Sequence, residues 1–138
     1  MLKWILPAQL AISPRPGYGP GAEFGVPREA VERWSQEMKA AGISSIICLL
    51  AGDQLPLYDR ALPDGLLRYY EQAGFQVAHI ATVDGQKDPF TAAQLQTAWS
   101  AYSCLPKPVL VHCSAGFDRT GRVIDHLLDR LHLTRHSG

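Results

Sequence analysis

The ten residues from His112 to Gly121, His-Cys-Ser-Ala-Gly-Phe-Asp-Arg-Thr-Gly, hold the densest chemistry in the chain. Pro108-Val109-Leu110-Val111 before them reads as a short buried strand, and Val123, Ile124, Leu127, Leu128 and Leu131 after them recur at helical spacing. The polar segment between is therefore expected to be a strand-to-helix turn, with a cysteine at its start and an arginine where the helix begins. Such a turn gathers backbone N–H groups and a helix N-terminus around one concavity, which suits an anion. The same field favours the thiolate of Cys113 over the thiol. Arg119 is placed to take two oxygens of a tetrahedral oxyanion at once. A thiolate beside an oxyanion cradle points to phosphoryl transfer through a covalent intermediate. The backbone of Ser114, Ala115, Gly116, Phe117, Asp118 and Arg119 is the expected phosphate-binding surface. The plain alternative is a buried cysteine in an ordinary glycine turn.

The order His-Cys, five residues, Arg-Thr-Gly, with Gly116 in mid-loop, resembles the phosphate loop of the cysteine-dependent protein tyrosine phosphatases. Trp4, Leu6, Pro7, Leu10 and Ala11 are similar to the opening of the small atypical dual-specificity branch, so the resemblance runs from end to end. It implies an α/β fold with a central, mostly parallel sheet flanked by helices. It also implies catalysis without metal or cofactor. Cys113 is then the nucleophile, and His112 hydrogen-bonds the loop backbone and helps hold the cysteine pKa down. Thr120 steadies the thiolate as it leaves in the second step. The implied substrate is a phosphorylated protein or a small phosphomonoester, with dual specificity for phosphotyrosine and phosphoserine or phosphothreonine. Phosphate, sulfate or vanadate would occupy the same loop. Phosphoinositide or other non-protein phosphatase activity, and a phosphate-binding module on the same fold, stand as alternatives.

Cleaving a phosphate ester also needs a proton for the leaving oxygen and then a base for water. In the resembling family that carboxyl group lies on a loop upstream of the cysteine, in a context like Ile-x-Asp-Gly-x-x-Pro. The segment from Ile80 to Pro89 fits, with Asp84 standing 29 residues before Cys113. Asp88, at 25 residues, is the second candidate, and its plain reading is a turn residue before proline. Asp118 departs from the protein phosphatase pattern, where a small or basic residue usually precedes the arginine. Gly-x-Asp-Arg-Thr resembles myotubularin-type and some bacterial loops, which include lipid phosphatases. A carboxylate there could hold the attacking water, tune the acid, or pair with Arg122 one turn on. It also makes the rim less positive, which disfavours polyphosphorylated inositides.

Positioning these groups requires a scaffold, and the remaining sequence supplies one. Trp4 to Ala11 reads as a strand or hairpin, followed by a turn region rich in Pro and Gly up to Gly21. Pro27 to Ala41 carries Val31, Trp34 and Met38 on one stripe and is expected to be a helix stopped by Gly42. Ile43 to Leu50 is an apolar, β-branched strand, residues 52–64 a loop, and Leu66 to Ala73 a helix ended by Gly74. Phe75 to Thr82 alternates as a strand, Val83 to Pro89 is a loop, and Thr91 caps a helix to Ser103 that leads into the strand at 108–112. That alternation describes an α/β sheet with helices on both faces. Trp4, Trp34 and Trp99 read as core residues, and Phe117 as either an aromatic pocket wall or an anchor under the loop.

Composition narrows the classes further. The 138 residues fit one domain, 1–138, with enough chain to bury a core without disulfides or metals. Thirteen basic and thirteen acidic side chains cancel, which argues against a nucleic-acid surface. Cys48, Cys104 and Cys113 make an odd count, and neither they nor His79, His126, His132 and His136 show metal-ligand spacing. A reducing, cytoplasmic setting follows, with no signal peptide and no membrane span. Cys48 is expected to be a buried structural thiol, a disulfide with Cys113 being the alternative. Relatives usually continue with further helices behind the loop, whereas this chain has one helix to about Leu133. The expectation is a shortened C-terminal helical part, and a dimer through that side.

Overall fold

Val109–His112 (β5) is the middle strand of a five-stranded sheet in a computed structural model that describes residues 2–21, 24–82 and 90–133. The strands stand in the order β1-β2-β5-β3-β4, with β1 Lys3–Leu6, β2 Leu10–Ser13, β3 Ser45–Cys48 and β4 Gln76–His79. β1 and β2 form an antiparallel hairpin, and every other pairing is parallel. The helices are α1 Arg28–Ala40, α2 Leu66–Gln72, α3 Ala92–Cys104 and α4 Asp118–Arg130.

Alternation along the strands sorts the core into two layers. Ile47, Val109 and Val111 face α3 and α4, where they join Leu95, Ala98, Tyr102, Val123, Ile124 and Leu127. Ile46, Cys48 and Leu110 face α1 and α2, where they join Val31, Trp34, Met38, Leu66 and Tyr70. β3 and β5 are buried along their whole length, which is why Ile46-Ile47-Cys48 and Val109-Leu110-Val111 read as continuous apolar runs rather than alternating ones. The stripe of α4 is covered within the chain by α3 and the sheet.

Local signals explain the helix ends. Gly42, at φ +86°, follows α1 with its N–H on Lys39 O, and the chain turns back so that Ile43 N reaches Met38 O. Thr91 accepts from Gln94 N while the Gln94 side chain accepts from Thr91 N, a reciprocal cap on α3.

Several expectations need adjusting. The strands at 43–50 and 75–82 are shorter, Ser45–Cys48 and Gln76–His79, because their ends go into single bonds such as Leu49 N to His112 O and Ile80 N to Cys48 O. Pro27 stands at the residue before α1 with extended backbone rather than in its first turn, and α4 starts one residue before Arg119. The loop at 52–64 contains a 3₁₀ turn, Leu55–Tyr58, which buries Tyr58. Trp4 is not core: it lies on the edge hairpin and is 37% exposed.

Candidate active site

Because β2, β5, β3 and β4 run parallel, their carboxyl ends share one edge of the sheet. The segments that follow them meet there: Pro14–Arg15, Cys113–Phe117, Leu49–Gln54 and Ile80–Thr82. Ligands of open α/β sheets bind at this edge. Cys113 leaves β5 on the α3–α4 side and is buried, and the chain turns through Gly116 into α4. Gly116 sits at φ +86°, and a Cβ there would stand 3.0 Å from Pro14 N and 3.1 Å from Ser13 O. A glycine is required for both reasons, the left-handed backbone and the close approach of the β2 end. Arg15 N donates to Ser114 O at 2.8 Å, fixing the loop to β2 a second time.

His112 points to the opposite side of the sheet, as alternation demands. It is fully buried, stacked edge-on against Trp34 and Tyr70. Nδ1 lies 2.9 Å from Cys113 O, which only accepts, so Nδ1 carries the hydrogen. Nε2 then accepts from the Tyr70 hydroxyl at 2.9 Å. Burial pushes the imidazole down to about 4, against a smaller upward pull from the Cys113 carbonyl. His112 therefore meets the loop as a neutral, oriented donor to its backbone.

Arg119, in the first turn of α4, is 1% exposed. Its Nη1 donates to Gln54 Oε1 at 2.8 Å, Thr82 O at 2.9 Å and Leu49 O at 3.2 Å. The guanidinium thus ties the loop helix to the ends of β3 and β4. Thr82 immediately precedes residues 83–89, and both Asp84 and Asp88 lie outside the described residues. Thr120 Oγ1 is buried and has no hydrogen-bond partner among the described residues. Asp118 is exposed at the N-terminus of α4, where an acidic side chain complements the helix dipole. Phe117 is 75% exposed, which removes the reading of it as an anchor under the loop. Cys48 is free and fully buried, and burial pushes its thiol up to about 12, as suits a structural thiol. Among the described residues no three His, Cys, Asp or Glu side chains gather as a metal ion would need.

Two polar residues of this edge escaped the sequence reading. Gln54 accepts from Ala51 N at 3.0 Å as well as from Arg119, so it folds its own turn around the guanidinium. Arg15 is 5% exposed and donates from Nε to Ser114 Oγ at 3.1 Å and from Nη1 to the Tyr58 hydroxyl at 3.1 Å. A basic residue just past a strand end is the signal that could have found Arg15, once β2 is known to lie parallel beside β5.

A cysteine loop at the carboxyl end of the central parallel strand, with helices on both faces, is the architecture of the cysteine-dependent protein tyrosine phosphatase superfamily. Particular structures bear this out. Kinase associated phosphatase, solved with its catalytic-site cysteine replaced by serine, matches with a TM-score of 0.69 at 26% identity, covering 88% of this chain and 65% of that one. This chain therefore spans just under two thirds of that phosphatase. The active form of Tk-PTP matches with a TM-score of 0.63 at 20% identity, over 96% of this chain and 76% of that one. A DUF442 protein from Shewanella putrefaciens CN-32 gives 0.62 at 23% identity, over 97% and 74%. No protein-family model matches the chain, and no curated protein sequence matches it. Among the described residues no helix is long and apolar enough to cross a membrane.

Proposed function

We propose that this chain is a single-domain cysteine-dependent phosphatase that hydrolyses phosphomonoesters through a phosphocysteine intermediate. The observation that carries the reading is Arg119, buried beside the cysteine loop and bonded to the ends of β3 and β4. In the first step Cys113 Sγ attacks phosphorus and the ester P–O bond breaks. Arg119 and the backbone amides of Ser114 to Arg119 take up the charge on the phosphoryl oxygens. Asp84, on the segment that leaves Thr82, gives the departing oxygen its proton. In the second step Asp84 removes a proton from water, the water oxygen bonds to phosphorus, and the S–P bond breaks. The buried, unpartnered Thr120 hydroxyl supports the reading that it donates to the departing thiolate. His112 holds the loop carbonyl of Cys113 and takes no part in proton transfer, its imidazole being neutral and on the far side of the sheet.

The substrate class we propose is phosphotyrosine and phosphoserine or phosphothreonine in proteins, in a cytoplasmic setting. The likeness to kinase associated phosphatase supports this over the lipid alternative. The decisive test of the chemistry is hydrolysis of para-nitrophenyl phosphate across about pH 5–8 without added metal. General acid–base help is worth about 10²–10⁴-fold, so Asp84→Asn should lose at least about 10²-fold in kcat. Cys113→Ser should abolish turnover, and vanadate should inhibit the wild type. Turnover that persists in Cys113→Ser would refute the cysteine mechanism.

A further inference from the structure

Arg15 is a charged side chain buried in neutral surroundings. Its contacts are the Ser114 and Tyr58 hydroxyls and the faces of the Tyr18 and Tyr58 rings, at 5.7 and 5.8 Å from the guanidinium carbon. No carboxylate pairs with it among the described residues, and Nη2 makes no hydrogen bond there. Burying an unpaired charge is costly, so a site that keeps one normally receives an opposite charge from elsewhere. The same guanidinium lines a cavity of about 480 Å³, walled by Tyr18, Pro20 and Leu57 and floored by Gln54 and Ser114. That volume is in the usual range of ligand pockets. Ser114 is the residue after the nucleophile, and Gln54 is bonded to Arg119, so the cavity adjoins the phosphate loop directly.

We infer that this cavity receives a second anionic group of the substrate, a phosphate or carboxylate a few bonds from the phosphoryl group that is cleaved. The inference rests on the phosphatase reading and narrows its substrate class to bis-anionic phosphomonoesters. Arg15 supplies the charge, and a planar guanidinium held by two hydroxyls and two rings is already oriented for it. The aromatic and apolar walls take the carbon skeleton that joins the two anions. Hydrolysis itself is unchanged: one ester is cleaved at Cys113 and the second anion stays on the product.

Two pairs of substrates test this and separate the sources of the second anion. One is a peptide with two adjacent phosphoresidues against its singly phosphorylated form. The other is fructose 1,6-bisphosphate against fructose 6-phosphate. A charge-assisted contact of this kind should give the doubly anionic member of at least one pair a kcat/KM higher by about 10–100-fold. The pair that responds identifies a peptide or a small-molecule substrate. Arg15→Gln should cut that preference to less than about threefold. If it fails to fold, Arg15→Lys, which keeps the charge but loses the fork, should still reduce the preference. Equal kcat/KM within both pairs overturns the inference. So does a preference that survives the Arg15 variants, or an Arg15→Gln that lowers both members of a pair alike. Calorimetric binding of the same pairs to Cys113→Ser decides the matter independently of turnover. Absence of para-nitrophenyl phosphate hydrolysis by the wild type would count against the phosphatase and leave the binding preference to judge Arg15.

Discussion

Lowering the pH should destabilise this protein through His112, by an amount that follows from its surroundings. The imidazole titrates at an ordinary 6.5 when unfolded and is pushed down to about 4 by burial in the fold. Between those values the unfolded chain binds a proton that the native chain does not, so stability rises with pH across the window. The stabilisation is fully present above about pH 6.5 and is lost as pH falls toward 4. Each tenfold difference in proton affinity between the two states is worth about 1.4 kcal/mol, so the loss is about 2 kcal/mol between pH 7 and 5 and about 3 kcal/mol below pH 4. Against a domain stability of about 5–15 kcal/mol that is a large fraction. The assay is urea unfolding of the wild type and His112→Asn at several pH values. Asparagine keeps a donor for Cys113 O but cannot titrate. Every other group contributes to both proteins, so the difference between their stabilities isolates His112. That difference should shrink by about 2 kcal/mol from pH 7 to 5. Parallel curves over that range would refute the assignment of a buried, neutral imidazole.

Gly116→Ala should destabilise the fold by about 1–2 kcal/mol from the left-handed backbone alone, with a further cost from the contacts at Pro14 and Ser13. Chemical unfolding measures it, and turnover should fall because the loop must move to accommodate the methyl group. Tyr70→Phe leaves His112 Nε2 buried without its donor and should cost about 1–3 kcal/mol, read by thermal or urea unfolding. In native protein the exposed Cys104 should react with iodoacetamide while Cys48, buried and pushed up to about 12, stays unmodified until unfolding; peptide mapping by mass spectrometry reports both. Thr91→Ala removes the reciprocal cap on α3 and should lower stability by about 1 kcal/mol in the same unfolding assay.

The sequence made the loop and its two flanking elements legible because each was signalled locally. An unbroken apolar run marked β5, a 3.6-residue stripe marked α4, and the residues between left one geometry. Thr91 and Gly42 were equally readable, since caps and stops act within a few residues. What stayed hidden depends on strand order. β5 lies between β2 and β3, both earlier in the chain, and no local pattern announces that. Arg15 meets Ser114 only because of that insertion, across 99 residues. Gln54 looked like a loop residue because its role, accepting from both Ala51 and Arg119, exists only when two distant turns converge. The exposure of Trp4 is illegible for a related reason: an aromatic residue near a strand gives no sign of whether the strand will be an edge.

The position of β5 also bears on how the molecule comes into being. Without it the sheet is two separate two-stranded pieces, β1–β2 and β3–β4, and such ribbons are marginal alone. The two pieces are joined only through β5, and the pairing of Leu10 with Val109 spans 99 residues of chain. Pairings this distant in sequence slow folding. The strand that closes the sheet ends at His112 and leads straight into Cys113, so the proposed nucleophile takes its place as the sheet is completed. Regain of turnover after dilution from denaturant would then report full assembly of the sheet, with no earlier species able to carry activity.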